Sequence, residues 1–502
     1  MTPIEMFTRA AALRPDAIAV EAAGQTLSYA ELLARVHAVA AALQQIEPDP
    51  GTRVGICAYN SLDHLIAFLS VFAAGHVWVP LYPRLGAKEL PKLAEFVGTR
   101  ILFTELEHRE LFLPTDARLI TLGRDGADSL AGLESQGAGK RPQTHIEPLD
   151  ATQAIKFTGG TTGLPKAVMQ PVRAWNANIG TQILCWGMGT RDRTLIAAPM
   201  THGGGTYLMP ALASGGTLVI EDRLTPERLV EVLDAREIAT VFLPPTAIQM
   251  MAELPQAQNQ AFPMLRNLIY GGGPMRANAV TRAQEVFGPC IATTYGQTEA
   301  PQIVTCMAAE ELARENLRAS VGRETLLTRV GIMDERGALL PPGEAGEVVV
   351  RGDLVMTGYW QQREETEQAL KGGWLHTGDL GELDAQGFLF LKGRSRDVII
   401  SGGFNVYPGD VEHVLGQHEA VRECAAFGVP DEKWGEAVHA AVELEGVVDA
   451  RALIDHVKAA LGPVKAPKRI HVYKMLPRNA YGKLQRQALI DAALEKTAKG
   501  DE

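Results

Sequence analysis

The chain has 502 residues and a formal net charge of −11, a length that predicts two to four domains rather than one core. The acidic balance argues against general nucleic-acid binding. Five scattered cysteines without metal spacing favour a reducing cytoplasm and no disulfide framework. No signal-peptide pattern opens the sequence, and the longest apolar run, 65–79, is too short to span a bilayer.

The first 320 residues alternate helical patterns with short apolar strands. Helices are predicted over 28–46, with Ser28 as the capping residue, over 63–74 and over 226–236. Strands are predicted at 53–58, 77–81, 100–104, 118–122, 154–157, 194–198, 217–220, 240–243 and 267–270. This alternation predicts an α/β fold whose large N-terminal domain is built on mainly parallel sheets.

The pattern changes after residue 320. Strands joined by Gly/Pro turns predict an antiparallel β subdomain over about 320–393, with a distorted barrel as one form that it could take. A fresh alternation then predicts a small, mobile C-terminal α+β domain. Its elements are a helix at 409–417, strands at 424–429 and 437–444, and a helix at 451–461. The predicted boundaries are 1–393 for the N-terminal domain, 394–396 for a hinge and 397–502 for the C-terminal domain.

A loop rich in glycine and threonine, Thr158-Gly-Gly-Thr-Thr-Gly-Leu-Pro-Lys166, follows the strand at 154–157. Glycines let the backbone approach phosphate oxygens, threonines add hydroxyl donors and the lysine adds a positive charge. It is not a Walker loop, because Lys166 follows a proline and no Ser or Thr comes after it. The loop suits a triphosphate, and the residues predicted to bind it are Thr158, Gly159, Gly160, Thr161, Thr162, Gly163 and Lys166.

Three further positions carry residues that suit a flat base or a pair of hydroxyls. The backbone of Gly271, Gly272 and Gly273 carries no side chain, so a flat base can lie against it. Tyr295 offers an aromatic face, and its polar neighbours predict an exposed position at a strand end. Asp379 follows Thr-Gly at a predicted turn, where a carboxylate accepts from adjacent hydroxyls. Taken alone, each of these residues is also compatible with an ordinary turn or core position.

Together the motifs resemble the adenylate-forming superfamily, which holds acyl-CoA synthetases, peptide-synthetase adenylation domains and beetle luciferases. The resemblance is collinear and covers nearly the whole chain. Besides the loop at 158–166, it rests on Gly271-Gly-Gly-Pro274, Tyr295-Gly-Gln-Thr-Glu299, Trp374-Leu-His-Thr-Gly-Asp379, Gly393-Arg-Ser-Arg-Asp397, Ser401-Gly-Gly-Phe-Asn405 and Leu476-Pro-Arg-Asn-Ala-Tyr-Gly-Lys483.

The resemblance implies roles for these residues in ATP binding. Adenine would lie between Gly271–Gly273 and the segment at Tyr295 and Gly296. Thr298 would donate to phosphate, and Glu299 would ligate Mg²⁺ that bridges phosphate oxygens. Asp379 would accept from the ribose, with Arg394 near ribose and phosphate. Lys483 would neutralise the charge that develops as a carboxylate attacks the α-phosphorus.

The implied reaction has two halves, with an acyl-adenylate between them and a thiol as the final acceptor. The resemblance places the pivot of the small domain at Arg396, where many relatives have Asp or Lys. It implies a thiol tunnel lined by Gly402 and Gly403, and a coenzyme A nucleotide site at Trp434. The segment 451–486 has nine Lys/Arg and one Asp, a net of +8, and its Lys465 and Lys468 are predicted to meet the phosphates of coenzyme A.

The acyl site implied by the resemblance lies after the strand ends at about 199, 243 and 270. Its predicted lining is His202, Gly203, Gly204, Leu243, Tyr270 and Pro301. The glycines at 203–205 suggest room for a bulky acid, and no basic residue for a second carboxylate is evident, with Arg266 left open as an alternative. The lining favours a hydrophobic aromatic, alicyclic or medium-chain monocarboxylate.

Four functions remain open at this point. An ATP-dependent acid–CoA ligase, using ATP, Mg²⁺ and coenzyme A, is the reading favoured by the basic segment and the tunnel glycines. A stand-alone adenylation enzyme could instead load an acyl group onto a carrier protein. A luciferase-type oxygenase is a third option. A non-catalytic nucleotide sensor is disfavoured by Lys483. We predict a cytoplasmic enzyme without nucleic-acid partners or an integral membrane segment, and a homodimer is possible on these grounds.

Overall fold

A computed structural model describes residues 1–123, 125–145, 147–158, 166–431, 433–478 and 484–498. The strands are β1 Ile18–Ala22, β2 Gln25–Ser28, β3 Arg53–Cys57, β4 Val77–Leu81, β5 Ile101–Glu105, β6 Arg118–Leu122, β7 Thr152–Thr158, β8 Lys166–Pro171, β9 Arg193–Ile196, β10 Thr217–Ile220, β11 Thr240–Leu243, β12 Asn267–Tyr270, β13 Ile291–Tyr295, β14 Thr305–Met307, β15 Arg323–Glu324, β16 Thr328–Met333, β17 Gly346–Gly352, β18 Gly358–Tyr359, β19 Leu375–Leu383, β20 Leu389–Arg394, β21 Ile399–Ser401, β22 Phe404–Val406, β23 Val421–Asp431, β24 Gly435–Leu444 and β25 Arg469–Tyr473.

The α-helices divide between the two parts of the molecule, with the last three following β22. They are α1 Pro3–Leu13, α2 Tyr29–Ile46, α3 Leu62–Ala73, α4 Leu90–Phe96, α5 Leu130–Gly137, α6 Val172–Trp186, α7 Leu208–Ala213, α8 Pro226–Ala235, α9 Pro245–Ala252, α10 Pro255–Gln258, α11 Ala277–Phe287, α12 Ala309–Leu312, α13 Arg363–Ala369, α14 Pro408–Leu415, α15 Ala450–Lys465 and α16 Arg486–Ala498.

Two large sheets form the N-terminal part. One has the strand order β15-β14-β13-β12-β11-β9-β10-β1-β2, and the other has the order β18-β8-β7-β4-β3-β5-β6. Their inner strands are parallel, whereas the edge strands β2, β14 and β15, and the pair β8 and β18, run antiparallel. This arrangement confirms the predicted α/β fold.

The largest hydrophobic core lies between these two sheets and joins residues from both. It includes Trp78 of β4, Ile269 of β12 and the helices α3, α6 and α7. On the other face of the nine-stranded sheet, a second core packs against α8, α9 and α11. Strands buried on both faces explain the continuous apolar runs that made them recognisable in the sequence.

The predicted cap of α2 is present. The Ser28 hydroxyl accepts from the backbone N–H of Glu31 at 3.2 Å, and the Glu31 carboxylate accepts from the backbone N–H of Ser28 at 2.7 Å. This reciprocal pair satisfies two backbone donors that the helix itself leaves unpaired.

The predicted antiparallel subdomain is a four-stranded sheet of order β16-β17-β19-β20. Within the described residues its pairing runs in one open line, so the distorted barrel was wrong. Strand β19, which contains Asp379, was not predicted, because Thr377-Gly378-Asp379 has the composition of a turn. Pairing with β17 on one side and β20 on the other holds this segment in the sheet, and its register shifts at an irregularity there.

The C-terminal part has its own five-stranded sheet, β22-β21-β24-β23 with β25 parallel to β24, and its own buried core. This confirms the predicted small C-terminal domain as part of the fold. It contacts the N-terminal part through Arg276, whose guanidinium meets a Glu423 carboxylate oxygen at 2.6 Å and the Cys424 carbonyl at 2.7 Å. In the described parts of the chain, no helix combines the length and the apolar character needed to cross a membrane.

Candidate active site

Parallel pairing brings the predicted nucleotide motifs to one edge of the nine-stranded sheet. Strands β12 and β13 are parallel neighbours, with Tyr270 paired to Thr293, so the turns that follow them lie side by side. A Cβ placed on Gly271 would lie 2.9 Å from the Thr294 carbonyl oxygen and 3.2 Å from the Phe242 ring. Glycine is therefore required at 271 by the close approach of neighbouring strands.

Gly296 has a similar packing role. A Cβ there would lie 2.6 Å from the backbone of Gln302, which adopts a positive φ of 65°. The loop 296–302 therefore folds back on itself, and the Thr294 hydroxyl donates to the Gln302 carbonyl at 2.7 Å. This compact turn fixes where Thr298 and Glu299 stand.

Asp379 is the centre of a polar cluster that joins three predicted site residues. Its Oδ2 accepts from the Tyr295 hydroxyl at 2.7 Å and from the Gln297 amide at 2.6 Å. Its Oδ1 lies 3.2 Å from the Arg394 guanidinium. The cluster links β13, β19 and the end of β20, which are distant in the sequence.

Tyr295 differs from the sequence prediction in its exposure. Its side chain is 8% exposed rather than open at a strand end, and its hydroxyl donates to the Asp379 carboxylate. Burial, followed by the nearby Asp379 charge, raises the pKa of Tyr295 well above its ordinary value. Tyr295 therefore stays neutral and donates to the carboxylate.

Glu299 lies in a second cluster with Tyr359 and Lys166. The Tyr359 hydroxyl donates to Glu299 Oε1 at 3.0 Å, and Lys166 Nζ lies 4.7 Å from the Tyr359 ring centroid. Burial and the Glu299 charge raise the pKa of Tyr359. Gln170 anchors the same loop, because its amide donates to the Thr298 carbonyl at 2.8 Å. Sequence analysis missed Tyr359, Gln170 and Gln297, which stand outside or between the recognised motif positions.

The donor set around Glu299 fits Mg²⁺. Oε2 of this half-buried carboxylate accepts no hydrogen bond from a described residue, so one oxygen is available for a hard cation. A single carboxylate, completed by phosphate oxygens and water, is a usual Mg²⁺ arrangement.

The predicted acyl residues divide between two sides of the sheet. His202 stacks edge-on against Tyr82 at 4.9 Å, and the Pro301 carbonyl accepts from the Asn178 amide at 3.1 Å. Leu243 and Tyr270 instead pack into the second core, with 2% and 3% exposure. Successive strand residues face opposite sides, so the residue of β11 that faces the site is Phe242 rather than Leu243.

Phe242 packs against Tyr207 and the glycine run 203–205 in the predicted acyl region. Its ring stacks on Tyr207 at 5.2 Å, and the Tyr207 hydroxyl accepts from the Gln302 amide at 3.2 Å. A Cβ on Gly203 would lie 2.6 Å from the Phe242 ring.

The glycine run at 203–205 does not leave the space that the sequence suggested. A Cβ on Gly204 would lie 2.3 Å from the Ala198 carbonyl oxygen, and one on Gly205 would lie 1.9 Å from the Met200 carbonyl oxygen. These glycines therefore permit close packing of the backbone. They do not provide space for a bulky acid, so the inference from the glycine run was wrong.

The predicted thiol-side residues lie together on the C-terminal sheet, with one exception. The backbone N–H of Gly402 donates to the Trp434 carbonyl at 2.7 Å, and Lys468 Nζ lies 5.0 Å from the Trp434 ring. Gly402 and Gly403 have φ values of 60° and 82°, which favour glycine. Lys465 instead pairs with Asp410 at 3.0 Å.

The segment predicted as the hinge lies between two anchors. Arg394 contacts Asp379, as above, whereas Asp397 lies 3.4 Å from Arg486 of α16. Arg396, between them, is about half exposed. Thr158 ends β7 and Lys166 begins β8, but several predicted residues lie outside the described ones: Gly159, Gly160, Thr161, Thr162, Gly163 and Lys483.

Two family models match this chain in order. One for an AMP-binding enzyme matches residues 7–360, and one for the C-terminal domain of AMP-binding enzymes matches residues 410–483. The chain belongs to the AMP-binding enzyme family. This membership confirms the adenylate-forming superfamily predicted from the motifs.

Similarity to individual AMP-binding enzymes extends over nearly the whole chain. A feruloyl-CoA synthase from an Amycolatopsis species is 32% identical over 481 residues, 95% of this chain and 96% of that protein. A 2-succinylbenzoate–CoA ligase from Bacillus subtilis is 32% identical over 485 residues, 96% of each chain.

Solved structures of this family have the same overall architecture. An o-succinylbenzoate–CoA synthetase from Bacillus subtilis, in complex with its acyl-adenylate intermediate, has a TM-score of 0.86 at 30% identity, covering 96% of this chain and 97% of its own. An amide bond synthetase from Marinactinospora thermotolerans has a TM-score of 0.89 at 29% identity, covering 97% and 99%.

Proposed function

We propose that this protein is an ATP-dependent carboxylic acid–CoA ligase that forms AMP. In the first half-reaction a carboxylate oxygen attacks the α-phosphorus of ATP, and pyrophosphate leaves. In the second, the thiol of coenzyme A attacks the acyl carbonyl, its proton is lost, and AMP leaves. The observation that carries the proposal is the Asp379 cluster beside Glu299, in a chain that matches both family models.

The Asp379 cluster has the chemistry to hold a nucleoside. A buried carboxylate beside a guanidinium has acceptor oxygens for the two ribose hydroxyls. The bare turn at Gly271–Gly273 and the ring of Tyr295 provide two flat surfaces for adenine. A Cβ at Gly272 or Gly273 would meet no atom within 4 Å, so the backbone faces open space there.

The phosphates are assigned to the loop at 158–166 and to the cluster of Lys166 and Glu299. Mg²⁺ held by Glu299 would supply positive charge at the phosphate oxygens. Thr298 donates its hydroxyl to phosphate, and Lys483 stabilises the charge that develops on the α-phosphoryl group. Tyr359 holds the Glu299 carboxylate in place through its hydroxyl.

The thiol-side assignment rests on the Gly402–Trp434 contact. The left-handed turn at Gly402 and Gly403 exposes bare backbone where a thin pantetheine arm can pass, and Lys468 beside Trp434 can meet a phosphate. Lys465 is paired with Asp410, so a phosphate would have to displace that carboxylate.

We assign the hinge to 394–396, between an N-terminal domain of 1–393 and a C-terminal domain of 397–502. The two anchors support this assignment, because Arg394 is held by the N-terminal part and Asp397 by α16. A change of backbone angle at the exposed Arg396 alters neither anchor.

The acid that fits the Phe242 and Tyr207 surface is hydrophobic: an aromatic, alicyclic or medium-chain monocarboxylate. A cytoplasmic location and a homodimer stay predictions.

The second candidate function is loading of an acyl group onto a carrier-protein thiol, which uses the same adenylation site. This candidate is supported by similarity to a fatty acid–[acyl-carrier-protein] ligase from Streptomyces coeruleorubidus, which is 32% identical over 491 residues.

The test is pyrophosphate release across a panel of carboxylic acids, followed by product analysis with different acceptors. We expect acid-dependent pyrophosphate release, and a thioester when coenzyme A is added. Matched reactions with a holo carrier protein and with simple amines identify the competing acceptors. Adenylation without thioester formation on coenzyme A would overturn the ligase assignment.

A further inference from the structure

Lys156 is a buried lysine close to the acyl region. It lies in β7, two residues before the phosphate loop, and is 7% exposed. Its Nζ lies 4.9 Å from the Trp78 ring centroid and 5.3 Å from that of Trp175. Among the described residues, no carboxylate pairs with it and no acceptor takes a hydrogen bond from it.

The pairing of β7 with β8 determines which way Lys156 points. Thr158 pairs with Lys166, Lys156 with Val168 and Ala154 with Gln170, so these six residues share one face. Ala154 and Val168 belong to the core between the two large sheets, whereas the intervening Ile155 and Ala167 belong to a different core. Lys156 therefore faces the same core as Tyr295 and Tyr207.

The aromatic surroundings of Lys156 adjoin the acyl region directly. Trp78 and Trp175 meet edge-on at 5.9 Å, and Phe68 and Phe72 pack behind them. The outer edge of Trp78 would lie 3.4 Å from a Cβ on Gly205, which is in the run between His202 and Tyr207. We name Lys156, Trp78 and Trp175 the inner donor cluster.

The inner donor cluster has hydrogen-bond donors whose acceptors are missing from the described polypeptide. The indole N–H groups of Trp78 and Trp175 are both buried without a partner. The Lys156 amine adds further N–H donors, whether it is protonated or neutral. Leaving buried donors unpaired is unfavourable, so this arrangement favours a bound group that brings acceptor oxygens.

We propose that Lys156 is a specificity-determining residue at the inner end of the acyl site, where it binds an oxygen at the far end of the acid. The substrate class is a carboxylic acid with a second oxygen function, either anionic or neutral, opposite the reacting carboxylate. This rests on the proposed function and changes the expected substrate, because the sequence left only Arg266 open for such a group, and Arg266 pairs with Asp192 at 2.6 Å. Thr158, the first residue of the predicted phosphate loop, lies about 7 Å further along the strand, so the reacting end would point towards the proposed ATP site.

The test compares matched acids that differ only at the far end. Cinnamic, 4-hydroxycinnamic and 4-carboxycinnamic acids form one series, and C6, C8 and C10 monoacids, ω-hydroxy acids and diacids form the others. We expect wild type to favour an oxygenated member by kcat/KM for pyrophosphate release in at least one series. Lys156→Met should lose this preference by about 10-fold or more, with Lys156→Gln in between.

Two further variants separate binding from packing. Trp175→Phe keeps an aromatic ring but removes one donor of the cluster, and it should reduce the preference. Trp360→Phe is the matched control, since its buried indole N–H is also unpartnered but its ring lies against Arg53. Replacing a buried unpaired lysine with methionine should retain or raise the melting temperature, so loss of fold does not obscure the comparison.

Binding is also measured without turnover, as the melting-temperature shift produced by each acid. If wild type turns over acids but Lys156→Met keeps the same preference, the role of Lys156 is overturned and the ligase assignment stands. If no acid is turned over but oxygenated acids stabilise wild type and not Lys156→Met, the ligase assignment fails and the binding role stands. If neither effect occurs, or only water satisfies the donors in a liganded crystal structure, the inference is wrong.

Discussion

At the scale of single residues, the account depends most on Asp379. Its carboxylate joins Tyr295 and Gln297, which are two residues apart, to Arg394, which lies in a separate part of the sequence. Such a hub can position a nucleoside because each partner fixes one oxygen of the carboxylate. The hub also makes the fold and the site interdependent at this position.

We predict that Asp379→Asn weakens ATP binding without unfolding the protein. The amide keeps the size of the side chain but loses the charge that holds Arg394, and it offers one acceptor oxygen instead of two. The KM for ATP should rise about 10- to 100-fold, a loss of about 1–3 kcal/mol. Asp384→Asn is the matched control, because that aspartate only caps a nearby turn. Equal KM values for the two variants would contradict the assignment.

The second residue-scale prediction concerns pH. Burial lowers the pKa of Lys156 to about 7, below its ordinary value near 10.4. Between these values the unfolded chain binds a proton that the folded chain does not, so the free energy of unfolding rises with pH through this window. The slope from this group is about 1.4 kcal/mol per pH unit at most.

Urea denaturation at pH 7.0 and 9.5 measures this effect. Wild type should gain stability relative to Lys156→Met over the interval, because the variant has no proton to release. Parallel pH dependences of the free energy of unfolding would show that the pKa of Lys156 keeps its ordinary value. Water would then reach the Lys156 side chain more than its burial indicates.

At the scale of elements, local signals account for what the sequence predicted well. The Ser28 cap lies within three residues of its partner Glu31, and apolar runs bounded by polar residues mark strands such as β10. The features that were not predicted depend on contacts between residues that are far apart in the sequence. Leu243 and Phe242 are both apolar, and a strand buried on both faces gives no sign of which neighbour faces the site.

Two other features, the strand at 375–383 and the surroundings of Lys156, could be recognised only in the folded chain. The segment 375–383 has the composition of a turn, but β17 and β20 flank it and make it a strand. Lys156 stands alone in an apolar strand, and the tryptophans around it are 78 and 19 residues away in the sequence, as their numbers show. Neither neighbour can be inferred from the local pattern.

The glycine run after His202 gives the element-scale prediction. Gly205→Ala should destabilise the protein by about 1–3 kcal/mol, because the added methyl would contact the Met200 carbonyl at 1.9 Å and the backbone would have to shift. Gly273→Ala is the matched control for stability, since open space surrounds its Cβ. Thermal unfolding of both variants checks this. An unchanged melting temperature for Gly205→Ala would restore the view that this run leaves space for substrate.

At the scale of the whole molecule, we expect the C-terminal part to change its orientation between the proposed half-reactions. The two half-reactions are assigned to different residues of the proposed C-terminal domain, adenylation to Lys483 and thioester formation to the Gly402–Trp434 surface, so we expect that domain to present each in turn to the adenylate. The anchors on either side of Arg396 make this residue the expected pivot.

We predict that Arg396→Pro uncouples the half-reactions, because proline fixes φ near −65° and removes the backbone N–H. One half-reaction should persist and the other should fall at least about 100-fold. Arg396→Ala is the control, since it removes the charge but keeps the backbone free. Each half-reaction is assayed separately, with circular dichroism to check the fold. A folded proline variant that retains both rates would place the pivot elsewhere.

The proposed ligase requires an acyl-adenylate between the acid and the thioester. The most direct measurement follows ¹⁸O from a labelled carboxylate during turnover with ATP and coenzyme A. Attack of a carboxylate oxygen on the α-phosphorus leaves that oxygen on AMP, so mass spectrometry should find one labelled oxygen in AMP and none in pyrophosphate. Label in inorganic phosphate, with ADP as the nucleotide product, would instead indicate an acyl phosphate and contradict the account.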